Sequence, residues 1–288
     1  MKIFILSALA LFAAGTLLAT EQPPTPVVAL EGDWVFQPQL SDEFDAPELD
    51  LGKWDNRPDH WGTWSWAPDN AYVKDGTLRI ATRYEPHQLK NPRRWLKDIN
   101  RLFFTSGMIR SREGIKFGYF EARIKAAPIA PGKIAPAFWL TRSDHRKSIE
   151  IDIVELIEVP GNPRQIKTNT HIFRHPDLPQ EERPGIRFMK GRNRWELHEQ
   201  HPVNLDTDPR EDFLVYSCLW TEEEIRWYVD GRLVRVRPNE YWDIEQDIIL
   251  STGLRGDLRT NTTDPSPDGF PTEFEVDYLR VWRRATDQ

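Results

Sequence analysis

The chain has one cysteine, Cys218, among 288 residues. No intrachain disulfide can form, so stability must come from a packed core, which a domain of this size can supply. The setting Val215-Tyr216-Ser217-Cys218-Leu219-Trp220 reads as a strand, which makes the thiol buried and inert rather than nucleophilic. Helical periodicity is scarce. There is no glycine-rich phosphate loop and no serine nucleophile elbow, so the usual signatures of nucleotide chemistry and serine hydrolysis are missing. The aspartate-rich calcium loop is missing too. No metal or cofactor is expected at the site, and the sequence leaves a structural calcium open. Positive charge is not in excess. A net charge of −7 argues against nucleic acid as a partner. Beyond the first turns of chain there is no long hydrophobic run. The first run, Ile3 to Leu18 behind Lys2, reads as a signal peptide over 1–19. It is slightly short for a span and lacks a basic flank after it, so no stable membrane anchor is expected. The expected location is secreted or periplasmic, and the expected state is a monomer.

Tryptophan is abundant, with 12 copies, and aromatics make up 11 % of the chain. Proline and glycine punctuate many short runs, which predicts an all-β fold. Asp75-Gly76 and Asp230-Gly231 are hairpin signals. Strands are expected at Asn70–Lys74, Thr77–Arg83, Phe104–Arg112, Gly118–Ala127, Ala135–Leu140, Ile149–Ile157 and Gln165–Phe173. Further strands are expected at Phe213–Leu219, Ile225–Val229, Leu233–Arg237, Ile248–Leu254 and Glu273–Trp282. Pro23, Pro24 and Pro26 make 20–31 a linker. From there the composition is uniform, which gives one domain over 32–286. His87 to Arg101 and Arg174 to Arg210 read as long charged loops, with a short helix expected in Glu181–Arg194.

The chain's chemistry concentrates in Ser148-Ile149-Glu150-Ile151-Asp152-Ile153-Val154-Glu155-Leu156. Glu150 and Asp152 are two apart and share a strand face. Glu155 is three beyond Asp152, so regular pleating would send it to the other face. A β-bulge at Ile153-Val154 would bring all three carboxylates to one side. The interleaved Ile149, Ile151, Ile153 and Leu156 mark a central strand, which favours acids on a cleft floor over a solvated acidic edge. Two glutamates flanking an aspartate suit glycosidic cleavage, which needs a nucleophile and a proton donor. Asp152 would orient Glu150 and share a proton with it. Anionic Glu150 and Asp152 would keep Glu155 protonated as the acid.

Other residues are candidates to surround these acids. His171, in Thr168-Asn169-Thr170-His171, is expected on a neighbouring strand, as a structural histidine or as a partner of the acids and substrate. Trp61, Trp64 and Trp66 lie close together, and Trp64 and Trp66 share a face if extended. Indoles stack on sugar rings, so these are candidate platforms; the competing role is core packing. Trp139, just before the acidic strand, is a third candidate neighbour. Basic residues flank the acids at Arg142, His145, Arg146, Lys147, Arg164, Lys167, Arg174 and His175, and Arg255 follows Gly253-Leu254. Such a local excess in an acidic protein hints at an anionic glycan.

The pattern Glu150-x-Asp152-x-x-Glu155 resembles the signature of glycoside hydrolase family sixteen, in its β-bulge branch. The resemblance extends in order through Ser41–Asp45, Trp64-Ser65-Trp66, Thr105–Gly107, Phe117–Lys125, Pro136–Leu140, Trp227–Gly231 and Val276–Trp282. It covers roughly residues 33–283. It implies a β-jelly-roll sandwich of two antiparallel sheets with a concave substrate cleft, and a retaining endo-hydrolase. Glu150 would then be the nucleophile, Asp152 its assistant and Glu155 the acid/base. Within the family the likeness is greatest to the κ-carrageenases, with furcellaranases and β-agarases near, and porphyranases and laminarinases on the same scaffold. A lectin without turnover is the alternative of another class. The resemblance implies a β-1,4-linked red-algal galactan as polysaccharide substrate, sulfated as in κ-carrageenan or furcellaran. It gives Arg255 the role of facing the sulfate.

Overall fold

The computed structural model describes residues 24–57, 64–88, 101–128, 133–157, 159–255 and 265–287. The expected signal segment, Trp61 and most of the His87–Arg101 stretch lie outside these. The strands are β1 (Trp34–Phe36), β2 (Trp54–Asp55), β3 (Ser65–Trp66), β4 (Ala71–Lys74), β5 (Thr77–His87), β6 (Leu102–Ser106), β7 (Met108–Ser111), β8 (Gly118–Lys125) and β9 (Ile134–Ser143). They continue as β10 (Ser148–Glu155), β11 (Gln165–Arg174), β12 (Ile186–Met189), β13 (Arg194–Asn204), β14 (Leu214–Trp220), β15 (Glu224–Val229), β16 (Arg232–Pro238), β17 (Asp247–Leu254) and β18 (Thr272–Arg284). Among the described residues the only helical turns are short 3-10 segments, and no helix is long and apolar enough to cross a membrane.

Two sheets pack face to face. One runs β16-β15-β14-β8-β18-β5-β6-β3, with β1 added to β18 and β4 to β5. The other runs β12-β13-β11-β10-β9-β17-β7-β2 and carries the acidic strand at its centre. Pairing is antiparallel except for β3 with β6. The result is the expected jelly-roll sandwich. Both hairpin signals form, with left-handed backbone at Asp75 and Gly76 and again at Asp230 and Gly231, as a tight turn between twisted strands requires.

One expected strand is two. Phe104–Arg112 breaks at Gly107, and the chain passes from β6 in one sheet to β7 in the other. A Cβ on Gly107 would lie 2.1 Å from the Asn70 carbonyl oxygen, so only glycine fits the crossing. The helix expected within Glu181–Arg194 does not form. That stretch holds β12 and the turn into β13, an outer hairpin of the acidic sheet. The wider Arg174–Arg210 segment was read as a charged loop, but Glu196 within it has no exposed surface.

The segment read as a linker lies against the body. Val28 and Leu30 pack with Trp34 and Phe36 on a small second cluster of Tyr119, Leu219, Tyr228 and Trp282. The Val27 N–H donates to Glu121 at 2.9 Å. The outer face of β8 is therefore partly covered, and Tyr119 and Glu121 are buried together with Phe120, Ala122 and Ile124.

Candidate active site

Strand β10 is held by its apolar face. Ile149, Ile151, Ile153 and Val154 are all buried in the main core, each worth about 1.5–3 kcal/mol on full burial. That offsets the repulsion of three acids on the opposite face. The slip in the sequence pattern is a bulge. From Asp152 to Glu155 strand β10 advances three residues, while β9 advances two, Trp139 to Ala137, and β11 two, Asn169 to Lys167. Glu150, Asp152 and Glu155 consequently line one cleft of ≈ 350 Å³.

Two buried tryptophans fix the strand's backbone from behind. Trp227 Nε1 donates to the Asp152 carbonyl at 3.0 Å, and Trp242 Nε1 to the Glu150 carbonyl at 2.8 Å. Arg235 lies over the Trp227 ring and Arg237 over the Trp242 ring, at 4.4 and 4.3 Å.

The cleft gathers most of the candidates. Trp64, Trp139 and Arg255 line it with the three acids, joined by Ala135, Ala137, Ser251 and Gly253. Trp139 stands opposite Asp152 in the ladder and donates from Nε1 to Ser251 Oγ at 3.0 Å. Trp64 keeps only 2 % of its surface exposed, which leaves little face for a sugar ring. Trp66 is not among the lining residues. It packs edge-on against Trp64, with ring centroids 5.4 Å apart. His171 sits opposite Glu150 on β11, its Nε2 3.3 Å from Asp152 Oδ2 and 3.9 Å from Glu150 Oε1.

Arg255 is already engaged. Its Nη2 donates to Glu155 Oε1 at 3.0 Å, while Asn169 Nδ2 donates to the other oxygen at 2.5 Å. Three of the flanking basic residues are engaged outside the cleft. Arg142 pairs with Asp247 and Glu245, Lys147 with Asp243, and Arg174 donates to the Asp144 carbonyl.

Asn169, Phe173 and Arg192 were not singled out in advance. Phe173 follows His171 by two in the same strand, so alternation alone places it on the cleft face. Arg192 comes from the turn before β13 and carried no local signal.

The electrostatics follow from burial. Desolvation, and then the charges of Asp152 and Glu155, push the Glu150 carboxyl well above the ordinary carboxylate range, with Arg255 opposing. Desolvation and then Asp152 push Glu155 up as well, against Arg255 and His171. Burial and mutual repulsion thus oppose simultaneous ionisation of the two glutamates. Such an arrangement supplies an anion and a proton donor to one bound bond, the two parts that glycoside hydrolysis needs. Glu150, Asp152 and His171 also bring three possible ligand atoms within 4.8 Å of one another.

Comparison with known proteins identifies the family. Residues 34–284 match the family model described as Beta-porphyranase A-D, GH16 domain. The chain is 35 % identical to a kappa-carrageenase of Pseudoalteromonas carrageenovora, across 94 % of this chain and 70 % of that protein. The crystal structure of the kappa-carrageenase from that organism, in complex with an oligotetrasaccharide of kappa-carrageenan, superposes with a TM-score of 0.73 at 30 % identity, covering 91 % of this chain and 99 % of that one. A structure named 1,3-alpha-1,4-beta-D-galactose-4-sulfate-3,6-anhydro-D-galactose 4 galactohydrolase gives 0.75 at 32 % identity, with the same coverage. The chain is a glycoside hydrolase and belongs to glycoside hydrolase family 16.

Proposed function

We propose that this enzyme is an endo-acting, retaining hydrolase of β-1,4 linkages in a sulfated red-algal galactan, κ-carrageenan or furcellaran. The observation that carries the proposal is one cleft holding Glu150, Asp152 and Glu155 on a bulged strand with Arg255 beside them. Relatives that combine at least 30 % identity with coverage of 91 % or more of this chain are named for carrageenan or for a 4-sulfated galactan. Glu150 attacks the anomeric carbon while Glu155 protonates the leaving oxygen. Glu155 then takes a proton from the water that releases the sugar. Asp152 and His171 hold Glu150 in place. Trp139 borders the sugar bound over Asp152, and an incoming sulfate draws Arg255 away from Glu155. The enzyme acts as an exported monomer without a membrane anchor.

The test is reducing-sugar release from κ-carrageenan, furcellaran, porphyran, agarose and laminarin, with product sizes read out. Release of short even-numbered oligosaccharides from the first two, well above the rest, is expected. The family model's description favours one second reading, a porphyranase, and preferential release from porphyran would establish it instead. Binding without release from any of the five would make the protein a lectin.

A further inference from the structure

From Arg183 to Arg194 the chain holds Arg183, Arg187, Lys190, Arg192 and Arg194 and no acidic residue, within a protein of net charge −7. This stretch forms β12 and the turn into β13, at the outer edge of the sheet that carries the acids. Pairing places it on the cleft face. His198 stands opposite His171, which stands opposite Glu150. Gln200 stands opposite Asn169, which donates to Glu155. Opposed residues of a ladder point to the same side, so both rows carry the cleft floor outward from the acids. In sheet order β13 is two strand spacings from β10, about 10 Å, and β12 is three, about 14 Å.

At the end of these rows lies a second pocket of ≈ 530 Å³, lined by Arg183 and Arg187 with His198 and Gln200. Among the described residues no carboxylate lines it. Arg183 is held from outside by Glu181, to which its Nε donates at 2.6 Å. Arg187 is exposed, and its guanidinium makes no ion pair or hydrogen bond among the described residues. It stands opposite the buried Glu196, but that carboxylate is already taken by Arg192, Arg194 and His198. Arg192 joins the two pockets. It lines the acid cleft, lies over the Phe173 ring at 6.0 Å and donates to Glu196. An unpaired guanidinium presents a planar fork of N–H donors, which matches the oxygens of a sulfate or carboxylate group.

We propose that Arg187 reads a second anionic group of the polymer, on the far side of the acids from Arg255, so that the substrate carries sulfate on both sides of the bond cleaved. This rests on the functional reading above. Arg255 follows β17, two strands from β10 in one direction, and Arg187 lies on β12, three strands away in the other. A polymer laid across the strands, from the acid cleft into the second pocket, meets both. The acids then act on a bond between two sulfated units. The two arginines differ in readiness. Arg255 is paired with Glu155 and has to be drawn off, whereas Arg187 has no pair to break. A chain sulfated on one side alone leaves one arginine without its anion.

Arg187→Ala tests the proposal. Arg232→Ala, on the edge strand β16 of the other sheet, removes the same charge away from the cleft and serves as the control. On κ-carrageenan the kcat/KM of Arg187→Ala should fall about tenfold, the low end for a charged hydrogen bond, with the loss carried by KM. Its KM should also rise less steeply with added sodium chloride than the parent's, because one screened contact is gone. Arg232→Ala should match the parent in both. Native gels containing dextran sulfate, run against gels containing neutral dextran, read the pocket without turnover. The parent should be retarded by the sulfated polymer despite its own negative charge, and Arg187→Ala should be held about tenfold less tightly. A parental KM for Arg187→Ala overturns the proposal. So does a raised KM with the salt dependence unchanged, which marks a packing role, or an equal loss in Arg232→Ala, which marks a general charge effect. If the parent cleaves no sulfated galactan, the functional reading falls and the gels decide the pocket. Retention lost with Arg187 then keeps the anion site, and retention untouched removes it.

Discussion

Arg255 Nη2 lies 3.0 Å from Glu155 Oε1, so the arginine expected to read sulfate is paired with the residue expected to act as acid. Its charge and hydrogen bond lower the Glu155 carboxyl. Arg255→Ala should therefore raise the basic limb of the pH–rate profile, since Glu155 then keeps its proton to higher pH. The same change should cost about tenfold to a hundredfold in kcat/KM on a sulfated galactan, the worth of one charged hydrogen bond, and less on a neutral one. Equal losses on the two substrates would reject the sulfate role.

Glu150→Ala and Glu155→Ala should each abolish turnover while leaving a folded protein, as circular dichroism and a cooperative thermal transition would show. Near-parental reducing-sugar release from either variant would remove that residue from the mechanism.

The site also bears on stability. The folded-state carboxyl of Glu150 is raised, by burial first and Asp152 next, so folding favours its protonated form. Its contribution is full below the unfolded carboxylate range, about pH 4.3, and is lost as pH rises through the raised value. Glu150→Gln, a fixed neutral isostere, should leave Tm unchanged near pH 4 and raise it near pH 8. A lower Tm at pH 8 would show that the anion is stabilised in the folded state.

Trp227 ties the strand to the opposite sheet through the Asp152 carbonyl. Trp227→Phe leaves that carbonyl unpaired in the core, and should destabilise by about 1–3 kcal/mol, read from urea denaturation. Unchanged stability would mean the carbonyl finds another donor.

What the sequence carried legibly was local. The alternation of isoleucines with acids, and the slip between Asp152 and Glu155, mark the bulge without any coordinates, because pleating has a period of two. Asp75-Gly76 and Asp230-Gly231 mark their turns for equally local reasons. Long-range pairings were not legible. The crossing at Gly107 depends on the Asn70 carbonyl, and nothing near Gly107 in sequence announces it. The hairpin of β12 and β13 was hidden because buried ion pairs look like solvated charge until Glu196 is seen between Arg192, Arg194 and His198. The motif Trp64-Ser65-Trp66 was visible, but alternation could not show that Trp64 is largely buried and Trp66 packs behind it.

The central claim is that Glu150 attacks the sugar and Glu155 serves as acid, then base, on the same bulged strand. The anomer released first tests it most directly. Proton NMR of κ-carrageenan digestion, followed from the earliest turnovers, should show new reducing ends appearing as the β anomer and only later mutarotating to the equilibrium mixture. Initial appearance of the α anomer would mean direct attack by water, and would contradict a glycosyl intermediate on Glu150.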